Sequence, residues 1–371
     1  MSKLLYFVSE DWYFCSHRLE LAKAAVAKGY DVSILCNVNR HRSVIEEAGI
    51  RVIPMDIDRA NTGLLANLML LLQVIKIFLK EKPDVVHNVA QKPVLMGTIA
   101  AHLCGAKRIV NALGGLGFVF MSKTTKAKIL KYVMSTLYKL LFNLRRTVLI
   151  LQNRDDYQFF VETIGVKQTH LCLIRGAGIN IEQFSHQPFP NTDKVRFTLV
   201  ARMLKDKGVG EFLQAAKRVS DKLTNVEFVL VGDVDAKNPN AFTENELTRL
   251  AKDAGVIWDG PSSQIFDVWK HSHVSVLPSY REGLPKSLLE SASVGRPIIT
   301  TDVPGCREVV EDGKNGFLVP LYDVQTLAEK IQLLAENKSL RQEMGEISRK
   351  MAEEEFASHK VNEKTIHLYE Q

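Results

Sequence analysis

The feature that most constrains this chain is an alternation of short apolar runs with longer helix-patterned segments, carried through twice. In the first pass the runs lie at residues 4–8, 32–36, 51–53, 84–87, 108–110, 148–151 and 171–174. Helix signals separate them. Ser16 reads as an N-cap for a helix to about Lys28, stopped by Gly29. A second helix runs to Ala48 and Gly49. A long apolar helix spans roughly 63–81 before Pro83, and further helices lie near 93–104 and at 124–143. Apolar runs without polar alternation suit strands covered on both faces, and connectors of helix length suit parallel neighbours. Residues 185–194 hold two prolines and no apolar period, and read as a linker. The alternation then restarts. Strands are expected at 195–201, 226–231, 256–258, 273–277 and 297–300. Helices are expected at 209–222, 244–254, 263–271, 286–294, 324–336 and 338–355. The prediction is an α/β chain of two Rossmann-like, doubly wound domains, 1–184 and 195–371, with the last helix a candidate to return to the first domain. The length of 371 residues fits two domains at about 150 each. A cleft between two such sheets is the expected ligand site, because strand C-termini gather there.

Composition removes several function classes. With 46% hydrophobic and 24% charged residues the chain is neither disordered nor low-complexity. The opening apolar run at 4–8 is closed by Ser9, Glu10 and Asp11, which does not read as a signal peptide. The longest apolar stretch, 64–79, is interrupted by Asn67, Gln73 and Lys76 and falls short of the roughly 20 residues a spanning helix needs. Cys15, Cys36, Cys104, Cys172 and Cys306 form no Cys-x-x-Cys pair, so they read as reduced, mostly buried thiols, with no structural metal expected. Charge is uneven. Residues 1–190 carry 24 Lys and Arg against 14 Asp and Glu, whereas residues 191–371 carry 24 against 28. From Val85 through Arg154 there are eleven basic residues and no acid. The first half should therefore face something anionic.

The stretch with most chemistry is Ser279-Tyr280-Arg281-Glu282-Gly283-Leu284-Pro285-Lys286-Ser287, followed by Glu290. It leaves an apolar strand and opens a helix, and Pro285 suits the first helical turn. The amides of Leu284, Lys286 and Ser287 would then make an anion site aided by the helix dipole. Glu282 on the loop and Glu290 in the helix suit hydroxyl groups, such as those of a sugar or ribose. A second piece is Arg202 with Lys207, two cations at a strand end that suit a diphosphate or are solvated surface cations. A third is Gly232, at the end of an apolar strand, where a base or ribose could approach the backbone.

Together these residues resemble the family 4 glycosyltransferases of the GT-B fold. The marker is the E-x7-E pattern from Glu282 to Glu290. Supporting it are Arg202 with Lys207 and Gly208, Val231-Gly232, the run from Pro278 to Gly283, and Gly313-x-x-Gly316-Phe317-Leu318-Val319. The resemblance implies a nucleotide-sugar donor, retention at the anomeric carbon, and no metal or other cofactor. It implies Arg202 and Lys207 on the donor diphosphate, Glu290 on ribose, Glu282 on the donor sugar, and Gly283, Leu284 and Pro285 along the phosphates. The first half is similar to bacterial enzymes that extend polyprenyl-diphosphate-linked sugars in O-antigen, capsule and N-glycan pathways, the N-acetylgalactosaminyltransferases among them. The matching residues are Ser9 to Phe14 with Ser16-His17-Arg18, Val86-His87-Asn88 with Lys92-Pro93, and Gly114-Gly115-Leu116-Gly117. Many family members have a Gly-Gly turn after the first strand and a His after the fifth. Here those places hold Glu10-Asp11-Trp12 and Asn111, so His17, at an expected helix start, becomes the candidate catalytic histidine, with a packing histidine as its alternative. Lys92, Gly114 and Gly115 are candidates for the acceptor or phosphate side. His87 reads as structural.

Residues 121–146 carry seven Lys and Arg, no acid, and apolar Leu130, Val133, Leu137, Leu140, Leu141 and Leu144 at helical spacing. Tyr132, Tyr138 and Phe142 suit a water–lipid boundary, and Lys123, Lys126, Lys128 and Lys131 are candidates to face anionic lipid. The alternative is an ordinary surface helix. No nucleic-acid motif accompanies the charge. The expected activity is transfer of a sugar, an N-acetylhexosamine and N-acetylgalactosamine first among them, from a UDP-sugar to a polyprenyl-diphosphate-linked sugar. It would take place in the cytoplasm, peripheral on the inner face of the plasma membrane. A nucleotide-sugar 2-epimerase of the same fold and a non-catalytic nucleotide-sugar-binding subunit are the competing readings.

Overall fold

The computed structural model describes residues 1–58, 63–115, 125–235, 238 and 240–371. Two parallel sheets organise them, and the chain divides into two units, residues 1–177 with 358–371, and residues 178–357.

The first unit is a seven-stranded parallel sheet in the order β3-β2-β1-β4-β5-β6-β7. The strands are β1 (Lys3–Glu10), β2 (Asp31–Asn37), β3 (Arg51–Pro54), β4 (Val85–Val89), β5 (Arg108–Ala112), β6 (Thr147–Leu151) and β7 (Leu171–Leu173). Every residue of β4 and β6 is buried, as strands covered on both faces require. One face packs on α1 (Asp11–His17) and α2 (Leu19–Ala27), and on the chain's last helix. The other is covered by α4 (Leu64–Glu81), α5 (Gln91–Cys104) and α6 (Thr125–Phe142), through Val74, Phe78, Met96, Tyr138 and Phe142. Between β2 and β3 runs the short α3 (Arg42–Glu47), and between β6 and β7 runs α7 (Arg154–Phe159).

The start of this unit departs from the sequence reading. Ser16 caps no helix. Helix α1 begins at Asp11, directly after β1, and Arg18, at φ −132°, separates it from α2. The reason is Asp11. Its buried carboxylate accepts the backbone amides of Trp12 (2.7 Å), Asn39 (2.7 Å) and His41 (3.0 Å), so a charged group inside the first turn ties α1 to the loop after β2. Burial pushes its pKa up, but the three amides outweigh that and hold it below the usual carboxylate value. His17 therefore ends a helix rather than starting one.

The second unit is a six-stranded parallel sheet in the order β10-β9-β8-β11-β12-β13. Its strands are β8 (Val195–Val200), β9 (Val226–Val231), β10 (Ile257–Trp258), β11 (Val274–Leu277), β12 (Ile298–Thr301) and β13 (Gly316–Val319). Helices α8 (Val209–Ser220), α9 (Glu244–Asp253), α10 (Ile265–Lys270), α11 (Lys286–Val294), α12 (Val324–Glu336) and α13 (Lys338–Met351) connect or cover them. The expected linker at 185–194 lies inside this unit. The fully buried Arg296 donates to the carbonyls of Gln187 (3.0 Å), Pro188 (3.0 Å), Trp269 (3.0 Å) and Lys270 (3.3 Å), and its guanidinium stacks 4.8 Å from the Phe189 ring. A buried cation satisfied by carbonyls holds the proline-containing segment down, and burial lowers its pKa to about 10. After residue 357 the chain returns to the first unit as α14 (Ser358–Glu370).

Candidate active site

In the second unit the loops that follow β8, β9, β11 and β12 are laced together at the C-terminal ends of the strands. The Met203 amide donates to the Asp233 carbonyl (2.9 Å), joining the β8 and β9 loops. The Asp206 carbonyl accepts the Tyr280 amide (2.9 Å) and the Ser279 hydroxyl (3.1 Å), joining the β8 and β11 loops. The Thr301 hydroxyl donates to the Ser279 carbonyl, and the Glu282 amide donates to the Pro304 carbonyl (3.3 Å), which adds the loop after β12.

Two glycines make this convergence possible. At Gly208 (φ +74°) an added Cβ would stand 2.0 Å from the Pro278 carbonyl oxygen. At Gly232 (φ +150°) it would stand 1.7 Å from the Ala201 carbonyl oxygen. The Ala201 backbone just past β8 thus requires a glycine at 232 on packing grounds alone.

The convergence brings Lys207 and Glu282 together. Lys207 Nζ lies 2.5 Å from Glu282 Oε1, and both side chains are largely buried at 19% and 12% exposure. The same carboxylate oxygen accepts the Ser279 hydroxyl at 2.8 Å. Lys207 ends a one-turn 3-10 segment, Lys205–Lys207, rather than starting a helix. Arg202 lies two residues beyond β8, is half exposed, and pairs with Asp235 at 2.8 Å. Both expected diphosphate ligands thus stand on one loop with carboxylate partners, which orders them.

Helix α11 begins at Lys286, with Pro285 one position earlier than expected, in the extended conformation of a cap. The Leu288 amide takes up the Pro285 carbonyl at 3.1 Å, and the turn before it presents amides outward, as every helix start does. Gly283 is packed from behind. A Cβ on Gly305 would lie 2.5 Å from its carbonyl oxygen. Glu290, one turn into α11, is 7% exposed and 3.6 Å from Lys286 Nζ. Burial raises its pKa, and the lysine only partly offsets that.

The first unit places its candidates separately. His17 stacks face to face on Tyr13, with centroids 4.3 Å apart, and its Nδ1 lies 2.6 Å from the Ser16 hydroxyl. The Tyr13 hydroxyl also lies 3.3 Å from where a Cβ on Gly114 would sit, so it lies beside the Gly114–Gly115 turn, where Gly115 has φ 137°. Lys92, in the first turn of α5, donates to the Asp58 carbonyl at 2.6 Å, and burial lowers its pKa. His87 is buried in mid-sheet and hydrogen-bonded to the Tyr369 hydroxyl at 2.7 Å, a structural role. Leu116 to Phe120 of the glycine-rich stretch lie outside the described residues, as do Lys123 and the side chain of Lys126. Lys128 is exposed and Lys131 half-buried. Tyr138 and Phe142 are fully buried against Phe160, so they anchor α6 to its sheet instead of meeting a lipid boundary. Cys36 and Cys306 are buried, whereas Cys15, Cys104 and Cys172 are only half-buried. Among the described residues no group of acidic, His and Cys side chains is arranged to hold a metal ion.

Two family models match the chain. One described as Glycosyl transferase 4-like covers residues 3–153, and one described as Glycosyl transferases group 1 covers residues 180–351. The chain is a family 4 glycosyltransferase of the GT-B fold. This glycosyltransferase is 28% identical to the N,N'-diacetylbacillosaminyl-diphospho-undecaprenol alpha-1,3-N-acetylgalactosaminyltransferase of Campylobacter jejuni, over 87% of each chain. It is 26% identical to the UDP-Gal:alpha-D-GlcNAc-diphosphoundecaprenol alpha-1,3-galactosyltransferase of Escherichia coli, over 84% of this chain and 81% of that one. Its fold matches Anabaena HepE in complex with UDP at TM-score 0.78 and 18% identity, over 99% of both chains. These relatives place the enzyme among the glycosyltransferases of glycan biosynthesis.

The sequence motifs singled out Arg202, Lys207, Glu282 and Glu290, which the fold places on the loops after β8 and β11 and on α11. They missed Ser279, Asp235 and Arg296, whose roles depend on residues 3 to 109 positions away. A serine three residues before Glu282 was the one local signal available.

Proposed function

We propose that this glycosyltransferase moves a sugar from a UDP-sugar to a polyprenyl-diphosphate-linked sugar, with retention and without a metal. The observation that carries the proposal is the buried Lys207–Glu282–Ser279 cluster beside the first turn of α11. A diphosphate brought there would meet Lys207, the Arg202 fork and helix-start amides, while Glu282, fixed through Oε1 by Lys207 and Ser279, would accept sugar hydroxyls on its other oxygen. In the reaction the bond between the anomeric carbon and UDP breaks and the bond to the acceptor oxygen forms on the same face. The acceptor hydroxyl's proton passes to the departing phosphate oxygen. The cations and amides stabilise the charge that develops on UDP, which is electrostatic catalysis, and they supply the positive charge that a metal would otherwise bring. Glu290 would take the ribose. His17, Lys92, Gly114 and Gly115 would serve the acceptor.

The lipid-linked acceptor follows from the relatives, both of which are named for a diphosphoundecaprenol substrate. It also agrees with the acid-free, basic window between Val85 and Arg154 in the first unit. N-acetylgalactosamine is the favoured sugar on the Campylobacter likeness. The galactose of the Escherichia enzyme marks the alternative. The enzyme would work from the cytoplasm, peripheral on the inner face of the plasma membrane.

The test is UDP release by the purified protein from a panel of UDP-sugars, with a synthetic polyprenyl-diphosphate-sugar acceptor and with and without EDTA. Release with a hexosamine donor that EDTA leaves unchanged is expected. Arg202→Ala and Lys207→Ala should each lower turnover on the order of a hundredfold or more while melting as the parent does. Near-normal turnover in both would remove the diphosphate assignment. Donor binding without release would point to a non-catalytic subunit.

A further inference from the structure

Large apolar side chains left in water are not spread evenly over this molecule. On α4 the outward row holds Leu64, Leu65, Leu68, Met69, Leu72 and Leu79, all between 50% and 87% exposed. Their spacing of three, four and seven keeps them on one side, opposite the buried Val74 and Phe78. On α6, Leu130, Val133, Leu137 and Leu140 form a second exposed row at the same spacing. Helix α5, which both of them touch, exposes Leu103 at 62%. The three helices cover the same sheet face, so the rows belong to one layer of the first unit. Scattered exposed leucines need no explanation, but a layer of them does.

The charges around these rows have one sign. Lys76 and Lys80 are exposed on α4, and Lys128 and Lys139 on α6. The only carboxylate on the three helices is Glu81, at the end of α4, and it is paired with Arg51. This excludes a second copy as the natural occupant. A two-fold contact sets the same patch against itself, which would place these lysines against lysines with no acid between them. An anionic lipid surface complements both features.

We propose that the α4–α6 layer is a lipid-docking platform, and that the first half of α4 is the element that inserts into an anionic monolayer. The inner face of α4 is held by the sheet, and at 18 residues it is about 27 Å long, so it lies along the interface and does not cross it. The apolar row is densest from residue 64 to 72, and Lys76 and Lys80 make the other end basic, which suits headgroups. This rests on, and deepens, the reading of a lipid-linked acceptor. It moves the main contact from the basic helix α6, which the sequence favoured, to α4.

The experiment is flotation of the full chain with vesicles of phosphatidylcholine alone or with phosphatidylglycerol, alongside light scattering for oligomeric state. UDP release is followed in parallel with a water-soluble, short-chain acceptor. The parent should float only with the anionic vesicles. Leu68→Glu with Leu72→Glu should reduce the floated fraction about tenfold or more, since a carboxylate in the apolar region is costly, while UDP release in solution stays within about twofold. Lys128→Gln with Lys139→Gln should weaken flotation less. Equal flotation of the leucine variant and the parent would overturn the proposal, as would a parent dimer that the leucine variant makes monomeric without any vesicle binding. A parent that floats as described but releases no UDP would leave the platform standing and remove the transfer reading instead.

Discussion

A Cβ at residue 232 would sit 1.7 Å from the Ala201 carbonyl oxygen, closer than any real contact. Gly232→Ala must therefore push β8 and β9 apart at their C-terminal ends or abandon its φ. We expect a loss of about 3 kcal/mol or more in urea unfolding, with UDP binding weakened through the displaced β8 loop. Glu290 makes a different prediction. Its pKa is raised in the folded state, so the native protein keeps a proton that the unfolded carboxyl releases near its ordinary value of 4.5. Stability contributed by that proton is complete below this value and falls as pH rises towards the folded pKa. Glu290→Gln should flatten the decline and be the more stable protein at neutral pH, as unfolding between pH 4 and 8 would measure. Identical pH slopes would assign the decline elsewhere. Neither effect was legible in the sequence. The glycine's reason is a carbonyl 31 residues away, and the glutamate's burial depends on how α11 rolls onto its sheet.

At the scale of elements, the sequence announced most strands and helices correctly, because strand runs and helix periods differ sharply here. Helix α11 was legible in its bounds, expected and found at 286–294, although Pro285 sits at its cap and not in its first turn. Helix α1 was not. Nothing local marks residues 11–17 as helical, and the Asp11 carboxylate that starts them is satisfied by amides 28 and 30 positions on. The faces of α6 were misread for a related reason. Aromatic residues beside lysines suit a lipid boundary equally well as they suit a core, and only packing against Phe160 decides. The segment 185–194 looked free because prolines and polar residues carry no sign of the cation that holds them. Arg296→Met would leave the Gln187, Pro188 and Trp269 carbonyls without this donor. We expect a loss of about 3 kcal/mol and faster amide exchange confined at first to residues 185–190 and the end of α10. Unchanged exchange there would show that Phe189 packing alone suffices.

For the whole molecule, the two-sheet architecture could be read from the chain, whereas the pairing of Lys207 with Glu282 across 75 positions could not. The charge asymmetry was legible as well, but not which helices expose apolar rows, since an apolar run looks the same whether it faces a core or water. The first unit is completed by the last helix. Tyr369 meets both the Tyr6 hydroxyl (3.0 Å) and His87 (2.7 Å), and Val361, Ile366 and Leu368 fill the same core. Burial and the Arg18 charge keep His87 neutral, so the Tyr369 hydroxyl is its only polar partner among the described residues. Tyr369→Phe should cost about 1–3 kcal/mol by orphaning that imidazole, read from urea unfolding. Truncation at residue 357 should be far worse and leave a sticky, protease-sensitive first unit.

That closing helix also sets an order of events during synthesis. Because residues 358–371 follow residues 178–357 in the chain, the sheet begun at residue 3 has one wall missing until they have left the ribosome, while the intervening 178–357 segment can finish folding first. A nascent chain stalled before α14 would hold its Tyr6, Val8 and Val110 surface open, and a ribosome-bound chaperone would find its main client surface there.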